Sequence, residues 1–240
     1  MTRPFYSITI NGKNTWDDFG MMPVKAGRIE FATPSLKYEA AEVAGSDDVL
    51  DFTEALTGYP LYSQRQGSVQ FRFYDNGVSL RSRYDDLKNF LHGRFARAVI
   101  EDAPDYYYEG RFQVGDLTFA HMGNWADFEL SYILNAYKIE FGSTTEDWLW
   151  DPFNFDTGII REYGNINVTG QTTVQIVGSR KPTTPDIICD SDMVMVYDGS
   201  TYELVEGRNI FPKIVLQDDT YTFTFRGIGT VSIAMKVGSL

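Results

Sequence analysis

The chain of 240 residues carries 33 Asp and Glu against 21 Lys and Arg, for a net charge of -12 and an isoelectric point near 4.6. That balance repels phosphate backbones and argues against nucleic-acid recognition, while 43% hydrophobic and 15% aromatic residues exclude intrinsic disorder. A single cysteine, Cys189, rules out an internal disulfide and a cysteine-based zinc cluster, and two histidines, His92 and His121, leave little for metal or triad chemistry. No apolar run approaches membrane-spanning length, and Met1 to Phe5 lacks the apolar stretch of a signal peptide, so the expectation is a soluble chain folded in a cytoplasm.

The dominant periodicity is two, the period of a strand with one buried face. Ser7 to Ile10 runs into Asn11-Gly12, a two-residue hairpin signal. Val69, Phe71 and Phe73 alternate with polar partners and predict a second strand. One helix is predicted from Leu80 to His92, with Tyr84, Leu87, Phe90 and Leu91 on one stripe. Ser82 is placed as its cap, Asp85 and Asp86 in its first turn, and Gly93 just past its end. Strands follow at Phe95 to Glu101 and at Tyr106 to Val114, where alternation would bury either Tyr107 alone or Tyr106 and Tyr108. Phe128, Leu130 and Tyr132 mark another strand. A boundary falls near residue 138, and beyond it short strands are broken by Gly, Pro, Asp and Thr. Among these, Val194 to Tyr197 and Ser200 to Val205 flank Asp198-Gly199 as a hairpin, and two further strands contain Tyr221, Phe223 and Phe225, then Val231, Ile233 and Met235. The fold class is mainly β: an α+β first domain over 1–137 with one helix, and a β-sandwich over 138–240.

No pattern of side chains converges on catalysis, so the chain reads as a non-enzyme without cofactor, metal or catalytic residues. The acid pairs Asp17-Asp18, Asp47-Asp48, Asp85-Asp86 and Asp218-Asp219 sit in predicted turns or a helix, where Asp is locally favoured. His92 reads as a cation at the negative end of the helix, and Cys189 as a buried strand residue with an inert thiol. Gly227-Ile228-Gly229 lacks the third glycine of a dinucleotide loop. Trp125, Trp148 and Trp150 could form a sugar platform, so a carbohydrate-binding β-sandwich is the alternative function.

Three segments of the first half carry longer motifs. The first is Ile8-Thr9-Ile10-Asn11-Gly12 through Asp17-Asp18-Phe19-Gly20. The second is Val43-Ala44-Gly45-Ser46-Asp47-Asp48-Val49-Leu50-Asp51-Phe52-Thr53-Glu54-Ala55-Leu56-Thr57-Gly58, followed by Tyr62 and Arg65. The third joins Leu91-His92-Gly93-Arg94 to Ile100 and the run Glu101 to Arg111, which includes Pro104 and Tyr106-Tyr107-Tyr108. In order and spacing these segments resemble, over roughly 5–135, the distal tail protein family of long-tailed, non-contractile bacteriophages. The sequence departs from it at Ala44, Asp48 and Asn135-Ala136-Tyr137.

The resemblance implies a virion structural protein at the tail tip, assembled in the host cytoplasm. Its first domain would form a homohexameric ring, and its second would be a galectin-like sandwich. Implied partners are the major tail tube protein, a tail-associated lysin-like hub protein and receptor-binding or baseplate proteins, with no membrane. DNA would be a passenger through a channel lined by more acidic than basic residues. Leu50, Asp51, Phe52, Glu54 and Leu56 are expected either at the subunit contact, with Arg65 or Arg72 pairing the acids across it, or in a turn that caps the core within one subunit. Trp148 and Trp150 are placed on a glycan- or partner-binding face, and under the alternative function the glycans would be those of the host cell wall.

Overall fold

The computed structural model describes residues 6–25, 29–75, 77–121, 123–142, 144 and 161–240. The chain divides into two compact units, Met1–Lys138 and Ile139–Leu240.

The first unit contains β1 (Ile8–Ile10), β2 (Lys13–Asn14), β3 (Met21–Pro23), β4 (Ala40–Glu42), β5 (Val49–Asp51), β6 (Arg65–Tyr74), α1 (Leu80–Leu91), β7 (Phe95–Ile100), β8 (Tyr106–Val114), β9 (Thr118–Phe119) and β10 (Trp125–Leu134). Its main sheet runs β2-β1-β7-β8-β10-β6-β3, antiparallel at every step. β6 and β10 are its spine, paired from Tyr74 and Trp125 to Arg65 and Leu134. Alternation sends Phe71, Phe73, Ala126, Phe128, Leu130, Tyr132 and Leu134 to one face. α1 covers that face with Leu80, Tyr84, Leu87 and Leu91, whose spacing of four, three and four residues makes one stripe. The opposite face carries polar side chains in cross-strand pairs, among them Arg72 with Asp127 and Arg97 with Glu109.

The helix begins at Leu80, as the apolar spacing predicts, but its cap lies three residues earlier than expected. Ser79, not Ser82, is the cap, and its Oγ accepts from the Ser82 N–H at 3.4 Å. This start brings Leu80 onto the buried stripe and moves Asp85 and Asp86 out of the first turn. At the other end Gly93 takes φ +74°, and His92 acts as a tether: its Nδ1 lies 3.1 Å from the Val114 carbonyl oxygen and 3.2 Å from the Val114 amide nitrogen.

The tyrosine triplet departs from simple alternation, because Tyr107 and Tyr108 are both buried. Tyr108 faces the core. Tyr107 faces the other way, and the Arg97 guanidinium covers it at 4.7 Å while held by Glu109 at 2.9 Å.

β11 (Lys138–Glu140) begins on the last residue of the first unit, and the second unit continues with β12 (Ile166–Val177), β13 (Asp186–Cys189), β14 (Met193–Tyr197), β15 (Ser200–Leu204), β16 (Gly207–Ile210), β17 (Thr220–Ala234) and β18 (Gly238–Ser239). Its larger sheet runs β15-β14-β17-β13-β16, with β12 paired along β17. The sheet curls in a sandwich-like manner around Ile176, Ile187, Met195, Phe223, Phe225, Val231 and Ile233. The two strands expected around Phe223 and Ile233 are one strand, β17. Its first half pairs with β14 and its second with β13. Gly227 and Gly229 lie where the partner changes. Gly229 has φ +148°, and a Cβ there would sit 2.3 Å from both Asp190 Oδ1 and Ser191 Oγ. The glycines thus make a strand kink and not a nucleotide loop.

Both two-residue hairpins have the backbone their sequences demand. Asn11 and Gly12 take φ +46° and +80°, and Asp198 and Gly199 take +46° and +69°.

Candidate functional site

Between Ala32 and Arg65 the chain leaves the first unit's sheet and returns, making an arm. Lys37 N–H donates to the Leu61 carbonyl at 2.9 Å and Ser63 N–H to the Ser35 carbonyl at 2.8 Å, which closes its root. Further out β4 and β5 pair from Ala40 and Asp51 to Glu42 and Val49. Gly45, at φ +83°, helps turn the tip. The returning leg ends in a tight coil, where the Glu54 carbonyl accepts from Gly58 N–H at 2.7 Å and Gly58 takes φ +73°.

Every residue from 35 to 52 is exposed. Large apolar side chains normally gain roughly 1.5–3 kcal/mol each from full burial, yet Leu50 is 54% exposed, Phe52 47% and Leu56 98%. Leu36, Tyr38, Val43, Val49 and Leu61 are exposed as well. None of these side chains belongs to the unit's core, which passes from Phe31 to Phe71. The arm also carries Glu39, Glu42, Asp47, Asp48, Asp51 and Glu54 against one cation, Lys37. Asp51 accepts from the Thr53 N–H at 2.8 Å, and hydrogen bonding from Thr53 holds its carboxyl below the usual range. A ribbon this exposed, apolar and acidic has the composition of a contact surface.

The six residues expected at a subunit contact divide in two. Leu50, Asp51, Phe52, Glu54 and Leu56 lie together on the arm, exposed. Arg65 does not join them: it is 4% exposed, with Nη1 donating to the Ala32 carbonyl and Nε to the Ala136 carbonyl, each at 2.9 Å. Burial lowers its pKa from the ordinary guanidinium value. Arg72 is likewise committed elsewhere. It meets Asp127 through two bonds of 2.6 and 2.7 Å, which raise its pKa above the ordinary value. Within the chain, then, both cations expected to pair with Asp51 and Glu54 across the contact are engaged by other groups.

Trp148 and Trp150 lie outside the described residues. Trp125 belongs to the first unit and is capped by the Arg72 guanidinium at 3.8 Å from its ring centre, so that face of the ring is already taken. Cys189 is buried, its Sγ donates to the Val205 carbonyl at 3.0 Å, and burial pushes its thiol up. It should therefore react with an aromatic disulfide reagent at least about a hundredfold more slowly in the native chain than in denaturant. Equal rates would show that β13 is open.

These observations define a β-rich chain of two units, a helix-backed sheet bearing an exposed acidic arm and a curled sheet around a separate core. Over 98% of its length the chain has the fold of the SPP1 Dit (gp 19.1) protein, with a TM-score of 0.63, 15% identity and 99% of that chain covered. That crystal structure is described as a paradigm of the hub adsorption apparatus in phages infecting Gram-positive bacteria. The likeness is one of fold. No family model and no curated protein matches the sequence.

Proposed function

We propose that the chain is a structural protein of a phage tail, with no enzymatic role, that assembles with copies of itself through the arm. The observation that carries this reading is the unbroken exposure of residues 35 to 52 with their apolar side chains. An isolated two-stranded ribbon is marginally stable in water, so this one gains most from burial against another chain. Head-to-tail contact around a rotation axis closes into a ring. The resemblance to the distal tail family makes that ring six-membered, at the distal end of a long non-contractile tail. There it would join the tube protein to the tail-tip hub and to receptor-binding or baseplate proteins. The second unit is read as the galectin-like sandwich that docks such peripheral proteins. DNA passes through the ring without binding, in keeping with the chain's charge of -12.

Negative-stain imaging and mass photometry of the purified chain test the assembly. Six-fold rings are expected from the wild type. The triple variant Leu50→Ser, Phe52→Ser, Leu56→Ser should stay monomeric with an unchanged circular dichroism spectrum, since these side chains contribute nothing to the core. Rings formed equally well by the variant would remove the arm from the contact. A wild type monomeric at tens of micromolar would remove self-assembly.

A further inference from the structure

We propose that Arg65 and Tyr62 form a joint that couples the root of the arm to the segment by which the chain leaves the first unit, so that the two open and close together. Three stretches distant in sequence meet here. Ala32 begins the arm, Tyr62 to Arg65 ends it, and Ala136-Tyr137 immediately precedes the unit's last residue, Lys138. The Arg65 guanidinium spans all three, with Nη1 on the Ala32 carbonyl and Nε on the Ala136 carbonyl, each at 2.9 Å. It lies 5.4 Å over the Tyr108 ring. Its Nη2 is buried with no hydrogen-bond partner among the described residues. A second contact runs in parallel: the Tyr62 and Tyr137 rings meet edge to face, 5.9 Å apart at 85°.

The coupling follows from burial. A guanidinium 4% exposed depends on its two carbonyl acceptors, and withdrawing either leaves a buried charged donor unmet, the expensive way to break a hydrogen bond. Movement of Ala136 is therefore felt at Ala32, and the reverse. Tyr62 extends the link outward. Leu36 and Tyr62 form the bridge at the arm root, flanked by the Lys37 and Ser63 amide bonds. Tyr137 holds the ring of Tyr62 from the other side. Lys138 follows directly, its pKa lowered by its own burial and then by the nearby Arg65 charge. Arg65 is thus a positioning residue, buried on carbonyls of its own chain, and it sets where the arm starts.

The use of this joint rests on the assembly reading, because capturing the arm would then fix the exit toward the second unit. The joint itself does not depend on that reading, and amide hydrogen exchange on the full chain tests it separately. Tyr137→Leu lies outside the arm, yet it should speed exchange of the Lys37 and Ser63 amides at least tenfold. Tyr62→Leu lies inside the arm and should speed exchange of the Asn135 amide, which donates to the Glu109 carbonyl at 2.8 Å, by a comparable factor. The Arg83 amide in α1 serves as the control and should not change in either variant. Arg65→Lys, which keeps the charge and gives up the two-armed fork, should produce the same pattern more strongly. Effects confined to the substituted segment in all three variants would overturn the joint. Coupled exchange in a chain that stays monomeric would uphold the joint and reject the ring, and rings formed by a chain with uncoupled exchange would do the opposite.

Discussion

Replacing Phe128 with alanine should destabilise the first unit by about 3–5 kcal/mol, the range for removing a large aromatic from a packed core. Phe128 is 3% exposed, and its ring stands 5.0 Å from Phe73, 6.1 Å from Phe71 and 6.2 Å from Tyr84. Strands β6 and β10 and helix α1 therefore all pack on one side chain. The cavity cannot collapse easily, because Phe71 and Phe73 are fixed by the β6–β10 ladder and Tyr84 by its hydroxyl bond to the Gly115 carbonyl at 2.9 Å. Denaturant titration followed by exchange of α1 amides should show the loss. Labelling of Cys189, which reports the separate core of the second unit, should keep its midpoint. A loss below about 1 kcal/mol would mean that the aromatic cluster is not a rigid packing unit.

Gly178→Ala should do comparable damage in the second unit, for a steric reason. An added Cβ would lie 1.7 Å from the Gln217 carbonyl oxygen and 2.9 Å from the Gln217 carbonyl carbon. These are backbone atoms, so no side chain can swing aside. Nor can Gly178 retreat freely. Its N–H donates to the Asp219 carbonyl at 2.9 Å, and its carbonyl accepts from Arg161 Nη2 at 3.0 Å. Arg161 in turn donates to the Val177 carbonyl at 3.1 Å and to Glu140 at 2.7 Å. Overpacking typically costs 1–3 kcal/mol, occasionally more. With hydrogen bonds disturbed as well, a loss of about 3 kcal/mol is expected, read as an earlier onset of Cys189 labelling in denaturant. An unshifted midpoint would show that the β12 end and the Gln217 turn separate without penalty.

The parts of the fold written in the sequence are those governed by local rules. Asn11-Gly12 and Asp198-Gly199 specify tight turns because few other residues accept positive φ at consecutive positions. The α1 stripe shows in its spacing. The capping residue of α1 does not, since Ser79 and Ser82 are equally good caps in isolation and the burial of Leu80 decides between them. Tyr107 fails for a related reason. Alternation states which face a residue points to, whereas Arg97 on a neighbouring strand determines whether that face is covered.

The candidate site is legible in the same partial way. Leu50, Phe52 and Leu56 stand out as apolar residues among carboxylates, but their spacing resembles an ordinary half-buried strand, and only the absence of core packing identifies an arm. Arg65 reverses the expectation. A cation near an acidic segment suggests an ion pair, while the chain threads Arg65 inward to two carbonyls that lie 33 and 71 residues away.

The composition of the arm also bears on the chain before it meets any partner. A two-stranded ribbon presents free backbone edges, and edges flanked by exposed Leu, Val and Phe invite strand-by-strand growth into aggregates. Six carboxylates against one lysine act as gatekeepers here. Two free arms approaching within a Debye length, about 8 Å at physiological salt, repel each other, whereas a surface of different charge meets no such barrier. The same charges that make the arm selective also keep it from sticking to its own kind edge to edge.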